Sequence, residues 1–198
     1  GIENVQILSP FRSEGLTAVE QMNKVIREMV NPLNENIPDL KIGSRYFREN
    51  DKVMQTKNNS KASNGDIGFI RKIAHDKNNE IKVTIEFSEN RSVEHNLDDM
   101  SNIELAYAAT IHKAQGSEFD IVILPVIRSH AIMLRRNLIY TAITRAKSRV
   151  ILVGQKGMLF MAIHKNDTGQ RNTMLGERIV KYLNALAAYE QKKIKKAG

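Results

Sequence analysis

The sequence contains no cysteine and no tryptophan, and only four prolines and eleven other aromatic residues in 198 positions. Without cysteine there is no disulfide framework and no thiolate zinc site, which agrees with a reducing cytoplasm. The five histidines, at 75, 95, 112, 130 and 164, show no His-x-x-x-His spacing, so the helical zinc-hydrolase pattern is missing. No Gly-x-Ser-x-Gly elbow is present to seat a nucleophilic serine. No apolar run approaches the roughly 20 residues that span a bilayer, so neither a membrane partner nor secretion is expected. A Gly-x-x-x-x-Gly-Lys-Ser/Thr loop is also lacking, and with it the cradle that grips a nucleoside triphosphate.

What the chain does have is positive charge. Thirty Lys and Arg against 22 Asp and Glu give +8, an excess that suggests a polyanionic partner, most often nucleic acid, beside the plainer reading of a merely soluble basic protein. With so few aromatics, backbone tracking is a better expectation for such a partner than broad base stacking. The length suits one domain with a real core, or a medium domain carrying a small insertion. Beginning at Gly1 rather than at a methionine, the sequence reads as a piece of a longer chain.

The hydrophobic pattern changes period along the chain. "VQILSP" (5–10) reads as a buried strand ended by proline. Thr17 and Glu20 have capping-box spacing, and Leu16, Val19, Met22, Ile26 and Met29 then recur as on a helix that Asn31-Pro32 stops. From about residue 45 apolar residues alternate instead: Ile81, Val83, Ile85 and Phe87 share one face of a strand, Ile67, Phe69, Arg71 and Ile73 alternate earlier, and Asn64-Gly65 and Asn78-Asn79 supply turns. Residues 45–103 therefore predict a small antiparallel barrel. Beyond it, "TIHKAQG" reads as a short helix, "DIVILPV" (120–126) as a strand, "AIMLRRNLIYTAITRAK" (131–147) as a helix and "RVILVG" (149–154) as a strand covered on both faces. That alternation is the signature of a parallel sheet with crossover connections. A final helix is expected from about Met174 to Lys195, ending in a solvated lysine run.

Two stretches, "AYAATIHKAQGSEFDIVILP" and "LIYTAITRAKSRVILVG", resemble the last two conserved motifs of superfamily 1 helicases, with wording closest to the RecD-like branch and its relatives among TraA-type conjugation proteins. "ILSPFRSEGLTAVEQMNKVIREMVNP", "FRENDKVMQTKNN" and "NGDIGFI" resemble the same branch. The resemblance implies an α/β fold: a RecA-like parallel-sheet lobe of the P-loop NTPase type, residues 1–44 and 104–198, with a small Src-homology-3-like barrel inserted at 45–103. It implies the C-terminal part of an ATP-dependent DNA helicase that moves on single-stranded DNA, 5′ to 3′, in the cytoplasm. ATP and magnesium would be held chiefly by an N-terminal lobe, so this chain alone is expected to be inactive. Partners would be single-stranded DNA, that lobe, and other DNA-repair or nuclease subunits.

Residue by residue, Arg145 resembles the family's arginine finger, which stabilises charge on the transferring phosphoryl group. Leu138, Ala142 and Ala146 would pack its helix on the sheet. Gln115, Gly116 and Glu118 resemble the part that faces the nucleotide, with Gly116 turning the chain. Thr110, His112 and Lys113 resemble contacts to phosphates of single-stranded DNA. In the barrel, Asn58 and Asn64 are candidate DNA contacts, with Lys52, Lys57, Arg71 and Lys72 as further possible clamps or ordinary solvated residues. Arg12, in the loop after the first strand, has a phosphate contact and a local role as equal readings. A non-catalytic nucleic-acid-binding module and the helicase section of a conjugative relaxase remain alternatives that upstream sequence would separate.

Overall fold

The structure, a computed structural model, describes residues 2–13, 15–34, 39–87 and 91–165. The expected helix at 174–195 and the lysine-rich end lie outside the described residues. The chain enters through β1 (Val5–Ser9) and α1 (Val19–Val30). Seven short strands follow: β2 (Leu40–Ile42), β3 (Arg45–Phe47), β4 (Lys52–Gln55), β5 (Ile67–His75), β6 (Ile81–Phe87), β7 (Arg91–His95) and β8 (Ile103–Leu105). Then come β9 (Ala108–Thr110), β10 (Phe119–Val126), α2 (Arg136–Ile143), β11 (Ala146–Gly154) and α3 (Lys156–His164).

Strand order separates two architectures. One sheet runs β11-β10-β1-β9 with every pair parallel, and its core gathers Leu8, Val122, Leu124, Ile139 and Ala142. The other runs β7-β6-β5-β4-β8 with every pair antiparallel, beside the β2-β3 hairpin, around a separate core of Phe47, Val53, Ile70, Val83, Ile85 and Phe87. Residues 106 and 107 alone separate β8 in the antiparallel sheet from β9 in the parallel one.

Several local expectations are corrected. The N-cap of α1 is Ala18, with no side-chain cap; Thr17 instead places Oγ1 2.7 Å from Nε2 of buried His130, so a tertiary contact replaces the capping box. The buried face of α1 carries Asn23 and Arg27, whereas Leu16 and Met29 are 86% and 76% exposed. Asn23 explains why a polar residue sits inside: its amide donates to the carbonyls of Leu105 and Ala108 and accepts from the Ala108 N–H, tying the helix to the chain leaving the barrel. The expected helix at 131–147 is helical only over Arg136–Ile143, and Ala146 and Lys147 already belong to β11. "TIHKAQG" forms β9's last residue and turns, not a helix. β5 buries Gly68 and Ile70 instead of Ile67 and Phe69, and a bulge between Ile70 and Lys72 then breaks its alternation. Among the described residues β11 pairs on one side only, and Val153 is 52% exposed, so this strand is not covered on both faces.

A buried ionic cluster joins α1 to the barrel. Asp51, fully buried, accepts from Arg27 Nε (2.9 Å) and Nη2 (2.8 Å), from Asn31 Nδ2 (2.9 Å), from the Arg48 backbone N–H (2.9 Å) and from the Tyr107 hydroxyl (3.2 Å). Arg48 in turn reaches Asp39 and Glu28. Burial pushes the Asp51 carboxyl above its ordinary value against the pull of Arg27. Buried charges are tolerated only when paired and hydrogen-bonded in this way.

Candidate functional site

The parallel sheet has two working edges. At the carboxyl end, Ser9 of β1 lies beside Thr110 of β9, and the chain leaves these strands through Arg12 and through 111–118 respectively. At the opposite end, Phe119 opens β10 beside Ala146, which opens β11, with Arg145 immediately before it. Residues 111–118 thus cross from one edge to the other. Gly116, at φ +89°, takes the left-handed turn that glycine accommodates without strain.

At the amino-terminal edge the two motif segments meet. The Phe119 N–H donates to the Arg145 carbonyl (2.8 Å), and the Arg145 guanidinium donates through Nη1 to the Ser117 carbonyl (3.4 Å) and through Nη2 to Thr144 Oγ1 (3.2 Å). Arg145 is half-buried, and its Nε makes no hydrogen bond among the described residues. Arg145 follows the cap residue of α2 rather than riding on the helix; Ala142 is buried in the core, Leu138 packs against it, and Ala146 begins the next strand. Gln115, Gly116 and Glu118 are exposed beside this point, with Lys147 Nζ 3.9 Å from Glu118 Oε2. A fixed guanidinium with spare donor capacity, next to an exposed amide and carboxylate, suits one wall of a nucleotide site: arginine for phosphate oxygens, Gln115 and Glu118 for sugar or base polar groups.

At the carboxyl edge a groove of about 840 Å³ lies between α1, the barrel and the turn after β9. Besides Arg27, which Asp51 already neutralises, five basic side chains line it, Arg12, Lys24, Arg45, Lys57 and Lys113, against two acidic ones, Glu20 and Glu104. Such an imbalance in a concave surface concentrates an anionic polymer. Thr110 and Lys113 both line this groove, and Thr110 Oγ1 accepts from the Lys113 N–H (3.2 Å). His112 is exposed but does not line it. Asn58 and Asn64 lie outside it, in an exposed barrel loop where the Asn64 N–H donates to Asn58 Oδ1 (2.6 Å). Lys52 is no clamp: it is 1% exposed, its ammonium donates to the Val5 carbonyl (2.8 Å), and burial lowers its pKa to about 8. Arg71 is engaged by Glu86. Arg45 and Glu104 carry no motif and were not singled out from sequence; only their place on strands bordering the groove reveals them.

The parallel lobe with its Src-homology-3-like insertion is the architecture of the C-terminal motor region of superfamily 1 helicases. Residues 105–153 match the UvrD-like helicase C-terminal domain, and residues 22–87 match the SH3 domain of ATP-dependent RecD-like DNA helicases. An ATP-dependent RecD2 DNA helicase of Deinococcus radiodurans is 34% identical over 177 residues, covering 88% of this chain and 23% of that protein. Among solved structures, Pif1 helicase from Candida albicans superposes with a TM-score of 0.55 at 14% identity, over 94% of this chain and 50% of that one. Bacteroides Pif1 bound to single-stranded DNA gives 0.50 at 18% identity, over 78% and 42%. The chain belongs to the C-terminal region of the RecD-like superfamily 1 helicases. It spans about a quarter of the length of the RecD2 relative.

Proposed function

We propose that this chain is the second motor lobe and inserted barrel, divided as 1–44 with 104–198 and 45–103, of an ATP-dependent DNA helicase that translocates 5′ to 3′ on single-stranded DNA. The observation that carries the reading is the pairing of Arg145 with Ser117 and Phe119, which draws the segment holding Gln115, Gly116 and Glu118 to the finger arginine at one sheet edge. There Arg145 would donate to the transferring phosphoryl group, Glu118 would accept from ribose hydroxyls, and the Gln115 amide would both donate to and accept from the nucleoside. Magnesium and the phosphate loop belong to the N-terminal lobe, which supplies the charge neutralisation and the cradle that phosphoryl transfer requires. At the other edge Thr110, His112 and Lys113 would hold strand phosphates, with Asn58 and Asn64 as more distant barrel contacts. The single-stranded DNA on the Bacteroides relative supports a strand as the groove's occupant. Because residues 111–118 touch both edges, nucleotide state at one is expressed as grip at the other.

The test uses the full-length parent. Arg145→Ala should lower DNA-stimulated ATP turnover on the order of 10³-fold or more while ATP affinity changes little; unchanged turnover removes Arg145 from the mechanism. Arg145→Lys should not restore it, since an ammonium lacks the planar fork.

A further inference from the structure

Arg12 and Lys113 approach each other in the groove because one carboxylate holds them both. Glu104 Oε1 accepts from Arg12 Nη2 and Glu104 Oε2 accepts from Lys113 Nζ, each at 2.8 Å. The three side chains come from three places: the loop after β1, the crossing after β9, and β8 of the antiparallel sheet, where Glu104 is registered against Met54 of β4. A carboxylate whose two oxygens are each claimed by a different cation matches a phosphodiester in charge and in having two acceptor oxygens side by side. Burial by itself would raise the Glu104 pKa, but Lys113 and then Arg12 outweigh it and hold the carboxyl below its ordinary range, so the group is charged at neutral pH. Glu20, the groove's other acid, also reaches Arg12, at 3.3 Å. Both groove carboxylates therefore bear on Arg12, and Lys113 is neutralised by Glu104 alone among the groove's acids.

We propose that Arg12 and Lys113 form a two-point phosphate site for single-stranded nucleic acid, and that Glu104 occupies it in the free protein as an internal counterion that an entering phosphodiester displaces. This rests on the reading that the groove carries the strand. Affinity is thereby held down: binding exchanges two good charge pairs for two others rather than creating them from solvated cations. Lone anions gain little from that exchange, whereas a polymer that engages the rest of the groove can drive it.

The experiment measures fluorescence anisotropy of a labelled oligothymidylate of about 12 nucleotides, a length within one site's reach, against the complete chain over a range of salt. Glu104→Gln should tighten binding by roughly 5-fold for each freed cation near 0.1 M salt, and steepen the slope of log K against log salt by up to about 1.4 for two contacts. Glu104→Ala, read in the same assay, controls for the amide inheriting the carboxylate's bonds, and thermal melts confirm that both variants are folded. In an Arg12→Ala/Lys113→Ala background, Glu104→Gln should change nothing. If Lys113→Ala weakens binding but neither Glu104 variant tightens it, the counterion proposal fails while the groove reading stands. If Arg12→Ala and Lys113→Ala leave binding unchanged, or binding does not depend on salt, the groove reading fails and takes the proposal with it.

Discussion

Replacing Asp51 by alanine should be among the most damaging single changes in the described fold. Asp51 is fully buried and accepts five hydrogen bonds, two of them from Arg27, whose side chain is 7% exposed. Its removal leaves a buried guanidinium whose remaining acidic neighbour, Asp39, stands 3.5 Å away, and it orphans the Tyr107 hydroxyl. Breaking a buried pair from one side costs about 3–5 kcal/mol. For a chain of this size each kcal/mol lowers the melting temperature by about 2–4 °C, so a fall of roughly 6–20 °C is expected in thermal melts. Replacing both partners, Arg27→Met with Asp51→Leu, removes the stranded charge as well as its partner and should cost well under the sum of the single changes. Because the cluster fastens α1 to the barrel, amide exchange should quicken first in β4 and the end of α1. A loss below about 1 kcal/mol for Asp51→Ala would refute the view that this cluster, rather than the apolar contacts around it, fixes the junction.

Lys52 predicts an alkaline stability gain. With its folded pKa lowered to about 8 from 10.5, the unfolded chain holds a proton that the folded chain has released across that window, so stability rises with pH there by up to about 1.4 kcal/mol per unit. Melts between pH 7 and 10 should show the rise in the wild type, and Lys52→Met should flatten it. Gly154→Ala should cost on the order of 2–3 kcal/mol in urea titrations, because a Cβ there would stand 2.2 Å from the Val126 carbonyl oxygen at φ +141°. A neutral result would mean that the β10–β11 register is misplaced. Gly116→Ala meets no atom within 4 Å, so its cost is purely conformational, about 1–2 kcal/mol, and a larger loss would point to contacts beyond the turn itself.

The sequence was most readable where one physical pattern governed one element. The alternation of Val83, Ile85 and Phe87 in β6 and the apolar run of β10 were recovered because burial alone decides which face turns inward. Gly116 was legible because few other residues tolerate its turn. The helix α1 and its stop at Asn31-Pro32 were legible, but its most deeply buried positions were not: Asn23 and Arg27 are held by partners 85 and 24 positions away that no local periodicity announces. The end of α2 was overrun because Ala146 is a good helix former but sits beside Phe119 in the sheet, and the pairing overrides propensity. Of the candidate site, the motif residues at each edge could be picked out, yet the ion pairs of Arg12 and Lys113 with Glu104 could not, since they join segments 92 and 9 positions apart.

Residues 111–118 span the width of one strand with both ends set in the same sheet. A connection that brief leaves little chain to absorb a displacement. What shifts Lys113 at one end therefore bears on Ser117 at the other, whose carbonyl receives Arg145.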